Sequence, residues 1–143
     1  MRHMGVTGTR SGLSAKQRSI AIDLLRRMHR DLNFEFLHHG DCVGVDAQID
    51  AIAKEVGFQT ILHPPDNAKY RAHTSGHAAV NLPLPYLDRN KRMVGLVELL
   101  VAFPYEESEV LRSGTWATIR WARRQDVVVM TVYPSGRVAV EES

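Results

Sequence analysis

Apolar and polar positions alternate in blocks along the chain, and these blocks predict strands and helices in turn. Short apolar runs predict five strands, at 3–8, 34–40, 58–65, 98–104 and 126–134. The run at 98–104 is continuously apolar, which is typical of a strand buried on both faces of a parallel sheet. Two prolines end the run at 58–65, because proline cannot donate to a strand ladder.

The segments between these runs carry apolar residues at helical spacing. The first predicts a helix over about 15–31 with Ser14 as its N-cap, on the i, i+3, i+4, i+7 pattern of Ala21, Leu24, Leu25 and Met28. A second stripe predicts a helix that ends at Gly57, and it consists of Val45, Ile49, Ile52, Ala53 and Val56. A third helix is predicted to begin near Asp88, and a fourth after the step Gly114-Thr115.

This order of elements predicts an α/β fold. We expect a doubly wound, mainly parallel sheet with right-handed crossovers and helices on both faces. Residues 1–143 are predicted to form a single domain with a core at about 4–132 and a short C-terminal tail at 135–143. Segment 64–86 holds four of the six prolines and predicts a long loop, which in compact domains is usually functional or mobile.

Composition narrows the function classes only a little. The 143 residues are 44% hydrophobic and 24% charged, as expected of a globular domain. A formal charge of +2 lacks the strongly basic character of proteins that bind many phosphates of a nucleic acid. Cys42 is the single cysteine, so no internal disulfide forms, and no apolar run marks a signal peptide or a membrane span. We therefore expect a cytoplasmic protein without a membrane partner.

Glycine turns follow three of the predicted strands, and ligands of open α/β sheets bind beyond the carboxyl ends of strands. The first turn, "TGTRSG", offers Gly8, Gly12 and Arg10 as a candidate phosphate donor, although an ordinary βα turn explains it equally well. The second, "HGDCVGVDAQ", carries Gly40, Gly44 and Asp46. Position alone favours Asp46 as a first-turn acid that gains from the helix dipole over a ligand contact.

The third turn, "LRSGTWATIRWARR", combines small residues with arginines. Serine, glycine and threonine at a strand-loop-helix junction form an anion site from free amides and the positive end of a helix. At 100° per residue the helix turns Thr115, Thr118, Ile119 and Ala122 toward the sheet, with Arg120 and Arg124 opposite. A solvated basic face is the favoured interpretation of Arg120, Arg123 and Arg124, and a nucleic-acid surface is the alternative.

Histidine and cysteine give weaker signals. His73 and His77 stand at i, i+4 but lack a third ligand at a recognised spacing, so the sequence predicts no metal site. Cys42 has no motif that pairs it with a base, which disfavours a nucleophilic role. His38 and His39 alternate across a strand end, so at most one faces the crevice.

Taken together, the motifs resemble the SLOG superfamily of Rossmann-like domains, which includes DNA-processing protein A and the lonely-guy phosphoribohydrolases. The similarity lies in "TGTR", in "HGDCVGVDAQIDAIAKEVG", and in "RNKRMVGLVELLVAFP" followed by "SGTWATIRWAR", and it spans about 4–132. Small stand-alone SLOG domains of bacteria and phages are the most similar group.

The resemblance implies a pocket for a nucleotide or a nucleotide-derived molecule, a signalling nucleotide among the candidates, with no separate cofactor. By match of motif the pocket is lined by Gly8, Thr9, Arg10, Gly40, Asp41, Gly44, Asp46, Arg89, Asn90, Ser113, Gly114 and Thr115. The phosphates would lie on the last three residues. Arg112 precedes the fourth helix and is predicted to point into the crevice. The resemblance also implies a homo-oligomer, with partly exposed tryptophans and segment 64–86 at a subunit interface.

The chain departs from the lonely-guy pattern PGGxGTxxE at two points. Pro104 is followed by "YEESEVLRS" in place of the glycines, and Thr118 occupies the position of the final glutamate. Loss of that acid favours ligand binding over catalysis. An N-glycosidase acting on nucleoside monophosphates is the alternative, with Asp46 as a weak catalytic candidate and Glu106, Glu107 or Glu109 as other replacement acids. Single-stranded DNA binding, as in DNA-processing protein A, is a further alternative that the net charge does not favour.

Overall fold

The computed structural model describes residues 2–142 and shows a seven-stranded sheet with helices on both faces. The strands are β1 (Arg2–Gly8), β2 (Phe34–His39), β3 (Gln59–Leu62), β4 (Ala79–Val80), β5 (Leu99–Phe103), β6 (Val128–Val132) and β7 (Val138–Glu141). The helices are α1 (Ala15–Arg30), α2 (Val45–Val56), α3 (Tyr86–Val94) and α4 (Gly114–Arg124), and a short 3-10 helix spans Ala68–Tyr70.

The strand order is β4-β3-β2-β1-β5-β6-β7, which confirms the predicted α/β class. All strand pairs are parallel except β6 with β7. The chain runs outward from β1 to β4 along one half of the sheet and then returns to begin the other half at β5. The strand order therefore reverses between the neighbours β1 and β5, and their loops open a crevice there.

Two apolar clusters fill the space between the sheet and its helices. Helices α1 and α2 pack on one face, with Leu25 and Ile49 in the first cluster. Helices α3 and α4 pack on the other, with Met93 and Trp116 in the second. Strand β5 serves both clusters, because Leu99, Val101 and Phe103 belong to the first while Leu100 and Ala102 belong to the second. This double burial explains its continuous apolar run.

Local signals place the ends of the first two helices. Ser14 caps α1 in a capping box, in which its hydroxyl accepts from the Gln17 amide and the Gln17 side chain accepts from the Ser14 amide. Gly57 ends α2 in the left-handed conformation, at φ 118°. Both caps were predicted from the sequence; Ser14 marks where α1 begins and Gly57 marks where α2 ends.

Two segments differ from the sequence prediction. The predicted tail at 135–143 contains β7, which pairs antiparallel with β6. Its alternation was missed because Val138 and Val140 are about half exposed at an edge of the sheet. Segment 64–86 contains a 3-10 turn, the two-residue strand β4 and the first residue of α3, so its irregular stretch is shorter than predicted. Within 2–142, no helix has the length and apolarity needed to cross a bilayer.

Candidate functional site

A pocket of about 470 Å³ opens at the point where the strand order reverses. Its walls come from the loop after β1, the loop after β5, the start of α4 and segment 64–86. The lining residues are Gly8, Thr9, Arg10, Cys42, Pro65, Asn67, Tyr70, Tyr86, Tyr105, Glu106, Arg112, Ser113, Gly114 and Thr115. Its volume lies within the range of small-molecule sites. Seven of the residues predicted for the pocket therefore line it together: Gly8, Thr9, Arg10, Arg112, Ser113, Gly114 and Thr115.

The first turn of α4 forms the end of the pocket suited to an anion. Ser113 is the N-cap, and its hydroxyl accepts from the Trp116 amide at 3.2 Å. The amides of Gly114 and Thr115 lie in the first turn, where no intrahelical acceptor is available to them. They also stand at the positive end of the helix dipole. Arg10 and Arg112 line the same pocket and add two guanidinium groups that suit a phosphate.

Tyrosine side chains form another part of the wall, and sequence reasoning missed them. Tyr70, Tyr86 and Tyr105 all line the pocket. The Arg10 guanidinium lies 3.8 Å from the ring centre of Tyr70, and the Arg89 guanidinium lies 4.6 Å from that of Tyr86. These contacts are cation–π interactions, which orient the rings. The signals available in the sequence were Tyr70 within segment 64–86, Tyr86 at the end of that segment and Tyr105 directly after Pro104.

A narrow polar recess adjoins the pocket and holds the other matched residues. Gly40, Asp46, Arg89 and Asn90 line it, and it shares Gly8, Arg10, Cys42 and Tyr86 with the pocket. Asp46 is a first-turn acid of α2, as its position indicated. Its Oδ2 accepts from the amides of Gly40 at 3.1 Å and Cys42 at 3.3 Å. Burial raises the pKa of Asp46, although His39 and Arg89 act to lower it.

Arg89 is a buried cation whose charge is met mainly by main-chain oxygens. Its Nη1 donates to the carbonyls of Gly40 at 2.8 Å and His63 at 3.1 Å. The guanidinium reaches the Gly40 backbone because that residue has no side chain. A Cβ there would lie 1.6 Å from Nη1. Gly40 is thus required by close approach of a side chain to the main chain.

Two residues predicted for the pocket, Asp41 and Gly44, lie outside the lining of the pocket and of the recess and make other contacts. Asp41 is fully buried and binds segment 64–86: Oδ1 accepts from the Thr74 amide at 3.0 Å and hydroxyl at 2.6 Å, and Oδ2 accepts from Arg71 at 3.0 Å. Burial opposes ionisation, but the bonds from Thr74 and Arg71 hold the pKa of Asp41 below its usual value. Gly44 has φ 89°, and its backbone packs against the Arg10 carbonyl, where a Cβ would lie 2.4 Å from the oxygen.

The loop after β5 separates its three glutamates. Glu106 lines the pocket, and its Oε1 accepts from the Trp116 indole at 3.1 Å. Glu107 accepts from Ser135, and Glu109 pairs with Arg120 and Arg123 at 3.1 and 2.7 Å. Thr118 is buried and donates to the Gly114 carbonyl at 2.9 Å. Of the replacement acids considered in this loop, Glu106 is the one at the pocket.

Helix α4 turns its small residues inward, as the 100° spacing predicted. Thr115, Thr118, Ile119 and Ala122 are buried. Its arginines are only partly a free basic face, because Arg120 binds Glu109 and Arg123 bridges Glu109 and Glu141. Trp116 is 1% exposed, so its predicted place at a subunit interface is wrong.

A second buried cluster joins His39, Asp50 and His77, whose potential ligand atoms lie within 4.8 Å of one another. His39 Nδ1 accepts from the Asp41 amide at 3.0 Å, so the ring carries its proton on Nε2 and donates to Asp50 Oδ1 at 2.8 Å. The Lys54 ammonium lies 2.5 Å from the other Asp50 oxygen. A cation here would have to displace that proton beside an ammonium group, so the cluster fits a structural role. His73 is exposed, away from this cluster.

The thiol of Cys42 lies between the pocket and the recess. Its Sγ lies 3.9 Å from the Gly40 carbonyl, which accepts from it, and 3.7 Å from Arg89 Nη2. Burial and the neighbouring Asp46 carboxylate raise the pKa of Cys42, although Arg89 acts to lower it. A raised pKa disfavours the thiolate, which agrees with the non-nucleophilic interpretation.

Solved structures share this arrangement of strands and helices. A molybdenum cofactor binding protein from the phototrophic bacterium Rippkaea orientalis matches with a TM-score of 0.69 and 19% identity, over 92% of this chain and 76% of that one. The molybdenum cofactor carrier protein from Chlamydomonas reinhardtii matches with 0.66 and 20%, over 92% and 76%. The protein TM1055 matches with 0.64 and 19%, over 90% and 72%. The fold is the Rossmann-like fold of these proteins.

Sequence comparison adds no family assignment. No family model matches the chain. No curated protein matches it either. At about one fifth identity the solved structures establish the fold alone, and the resemblance to the SLOG superfamily stays a prediction.

Proposed function

We propose that the domain binds a phosphorylated, nucleotide-derived small molecule in the pocket between β1 and β5. The observation that carries the proposal is the convergence of the first turn of α4 with Arg10 and Arg112 in one pocket lined by tyrosines. Amides and guanidinium groups suit a phosphate, and aromatic rings suit a planar base. Two proteins of the same fold are described as binding or carrying the molybdenum cofactor.

Isothermal titration against nucleoside monophosphates, dinucleotides and cyclic ADP-ribose derivatives tests the proposal. We expect at least one ligand to bind, and Arg112→Ala to weaken that binding by about tenfold or more through loss of a charge-assisted hydrogen bond. Arg124→Ala is the matched control, because that arginine lies at the far end of α4. Silence from the whole panel, or equal losses in the two variants, would contradict the proposal.

N-glycosidase activity is a second candidate, favoured by the position of Glu106. The Trp116 indole orients this carboxylate in the pocket, where it could stabilise positive charge on a sugar or position water. The candidate predicts release of free base from a nucleoside monophosphate, measured by chromatography. Glu106→Gln should abolish the release, while Glu107→Gln, at the residue bound to Ser135, should not. Absence of product from every monophosphate rules this activity out.

Single-stranded DNA binding receives less support. The ion pairs of Arg120 and Arg123 reduce the positive charge that α4 could offer to a phosphate chain. A homo-oligomer and a cytoplasmic location stay predictions of the sequence.

A further inference from the structure

Three buried polar atoms around the recess have no hydrogen-bond partner among the described residues. They are Asp46 Oδ1, Arg89 Nε and Asn90 Nδ2. The three residues are 6%, 2% and 5% exposed. An unsatisfied buried polar group costs about 1 to 3 kcal/mol, so three in one place call for an explanation.

The size of the recess limits what can satisfy them. Its volume of about 10 Å³ suits one water-sized group. A phosphate, a ring or a second side chain would not fit. The recess joins the main pocket along Gly8 and Tyr86, so a group that enters it can belong to a molecule bound in the pocket.

The chemistry of the three atoms limits it further. Arg89 Nε–H and Asn90 Nδ2–H are donors, and a carboxylate Oδ1 is an acceptor. A hydroxyl matches this set, because it offers one donor and two lone pairs. A phosphate oxygen or a carbonyl lacks the donor, and an ammonium lacks the acceptors. The charges of Arg89 and Asp46 also offset each other, which favours a neutral group over a second anion.

We propose that the recess is a hydroxyl subsite, formed by Asp46, Arg89 and Asn90, that water fills in the free protein and a ligand hydroxyl fills in the complex. This proposal rests on the proposed function for the second half of its claim. It makes the ligand a phosphorylated molecule with a hydroxyl-bearing sugar or chain, and it makes Asn90 a specificity-determining residue.

A crystal structure of the free protein at high resolution tests the water. We expect one ordered water within hydrogen-bond distance of all three atoms. A dry recess, or a direct Asp46–Arg89 ion pair that fills it, would overturn the proposal whatever the ligand is.

Titration with AMP and GMP against their 2′-deoxy and 3′-deoxy counterparts tests the ligand hydroxyl. Removal of the correct hydroxyl should weaken binding about 10- to 100-fold, because it leaves the buried groups unpaired. Asn90→Ala should reduce that ratio toward one, whereas Arg124→Ala should leave it unchanged. Nucleotides that bind without such discrimination overturn the hydroxyl subsite but not the proposed function. Silence from every nucleotide counts against the proposed function, and the crystal structure then decides the recess.

Discussion

Because Gly40 lacks a Cβ, the buried guanidinium of Arg89 can lie against the main chain at this position. The backbone after β2 lies so close to Arg89 that a Cβ on Gly40 would be 1.6 Å from its Nη1. The guanidinium is fixed there by carbonyls of Gly40 and His63. A side chain of any size at position 40 must therefore push a buried cation out of its hydrogen bonds.

We expect Gly40→Ala to lower the free energy of unfolding by about 2 kcal/mol or more, through loss of the buried hydrogen bonds of a charged group. Urea denaturation measures the change. Gly95→Ala is the matched control, since Gly95 has φ −67° and a Cβ there would meet its nearest atoms at 3.5 and 3.6 Å. Similar free energies for the two variants would show that Arg89 relaxes without cost.

The Asp41 side chain anchors a different segment, residues 71–74. The carbonyl of Asp41 also accepts from the Ala72 amide at 2.8 Å. Loss of the carboxylate removes the partner of Arg71 in a buried ion pair. The loop would then keep its backbone bonds but lose its charged anchor.

We expect Asp41→Asn to raise amide hydrogen exchange in segment 71–77 by about tenfold or more while β1 and β5 keep their protection. Exchange followed by mass spectrometry locates the change. Asp66→Asn, at an exposed acid of the same loop, serves as the comparison. Uniform acceleration over the whole chain would instead indicate a global loss of stability.

Among the elements, a chain of three histidines links β1, β2 and the loop that follows β3. His38 Nε2 meets His3 Nδ1 at 2.7 Å, and His38 Nδ1 meets His63 Nε2 at 2.8 Å. Arg92 Nε donates to His63 Nδ1 at 3.1 Å, so each neutral ring must donate to the next toward β1. The arginine on α3 thereby sets the tautomers of side chains from β1, from β2 and from the residue that follows β3. Burial lowers the pKa of His38 to about 4 and that of His63 to about 3.

The lowered pKa values of His38 and His63 make the free energy of unfolding depend on pH. An unfolded histidine titrates near 6.5, so below that pH the unfolded chain binds more protons than the folded one. The contribution of these neutral histidines to the free energy of unfolding is complete above about pH 6.5 and is lost as the pH falls toward 4. We expect a loss on the order of 2 kcal/mol for one histidine of the pair, measured as urea unfolding free energy between pH 7 and pH 4.5. His63→Asn should make the slope shallower, and an unchanged slope would rule out this histidine as its source.

At the scale of the whole molecule, local signals predicted the sheet better than they predicted the site. The caps at Ser14 and Gly57 and the apolar run at 98–104 were predicted correctly, because each can be recognised from a short stretch of consecutive residues. The first and third glycine turns lie at the pocket and the second lies at the recess, because parallel strands bring their carboxyl ends together. Asp46, Arg89 and Asn90 were named only through the resemblance, and the histidine chain was not predicted. The side chains that line the recess, and those of His38 and His63, come together only through strand register and helix packing.

The missed strand β7 gives the last prediction, because it covers the edge of β6. Met130 pairs with Val140, and Glu141 binds Arg123 on α4 at 2.6 Å. Segment 135–137 also contacts the rest of the domain. The Ser135 hydroxyl donates to Glu107, and the Arg137 guanidinium lies 3.7 Å from the ring centre of Tyr133. Removal of residues 135–143 would leave β6 as an unprotected edge, which promotes pairing between molecules.

We expect the chain truncated after Pro134 to lose about 2 kcal/mol or more of unfolding free energy, because it loses a strand ladder together with the ion pair to α4. It should also associate at concentrations where the full chain does not, as measured by light scattering. Glu141→Gln separates the two causes. That variant keeps the ladder and loses a partly exposed ion pair, for which the expected cost is below about 1 kcal/mol. If truncation lowered the free energy of unfolding no more than Glu141→Gln does, the β6–β7 ladder would add no stability beyond the ion pair, and β6 would be stable as an edge strand.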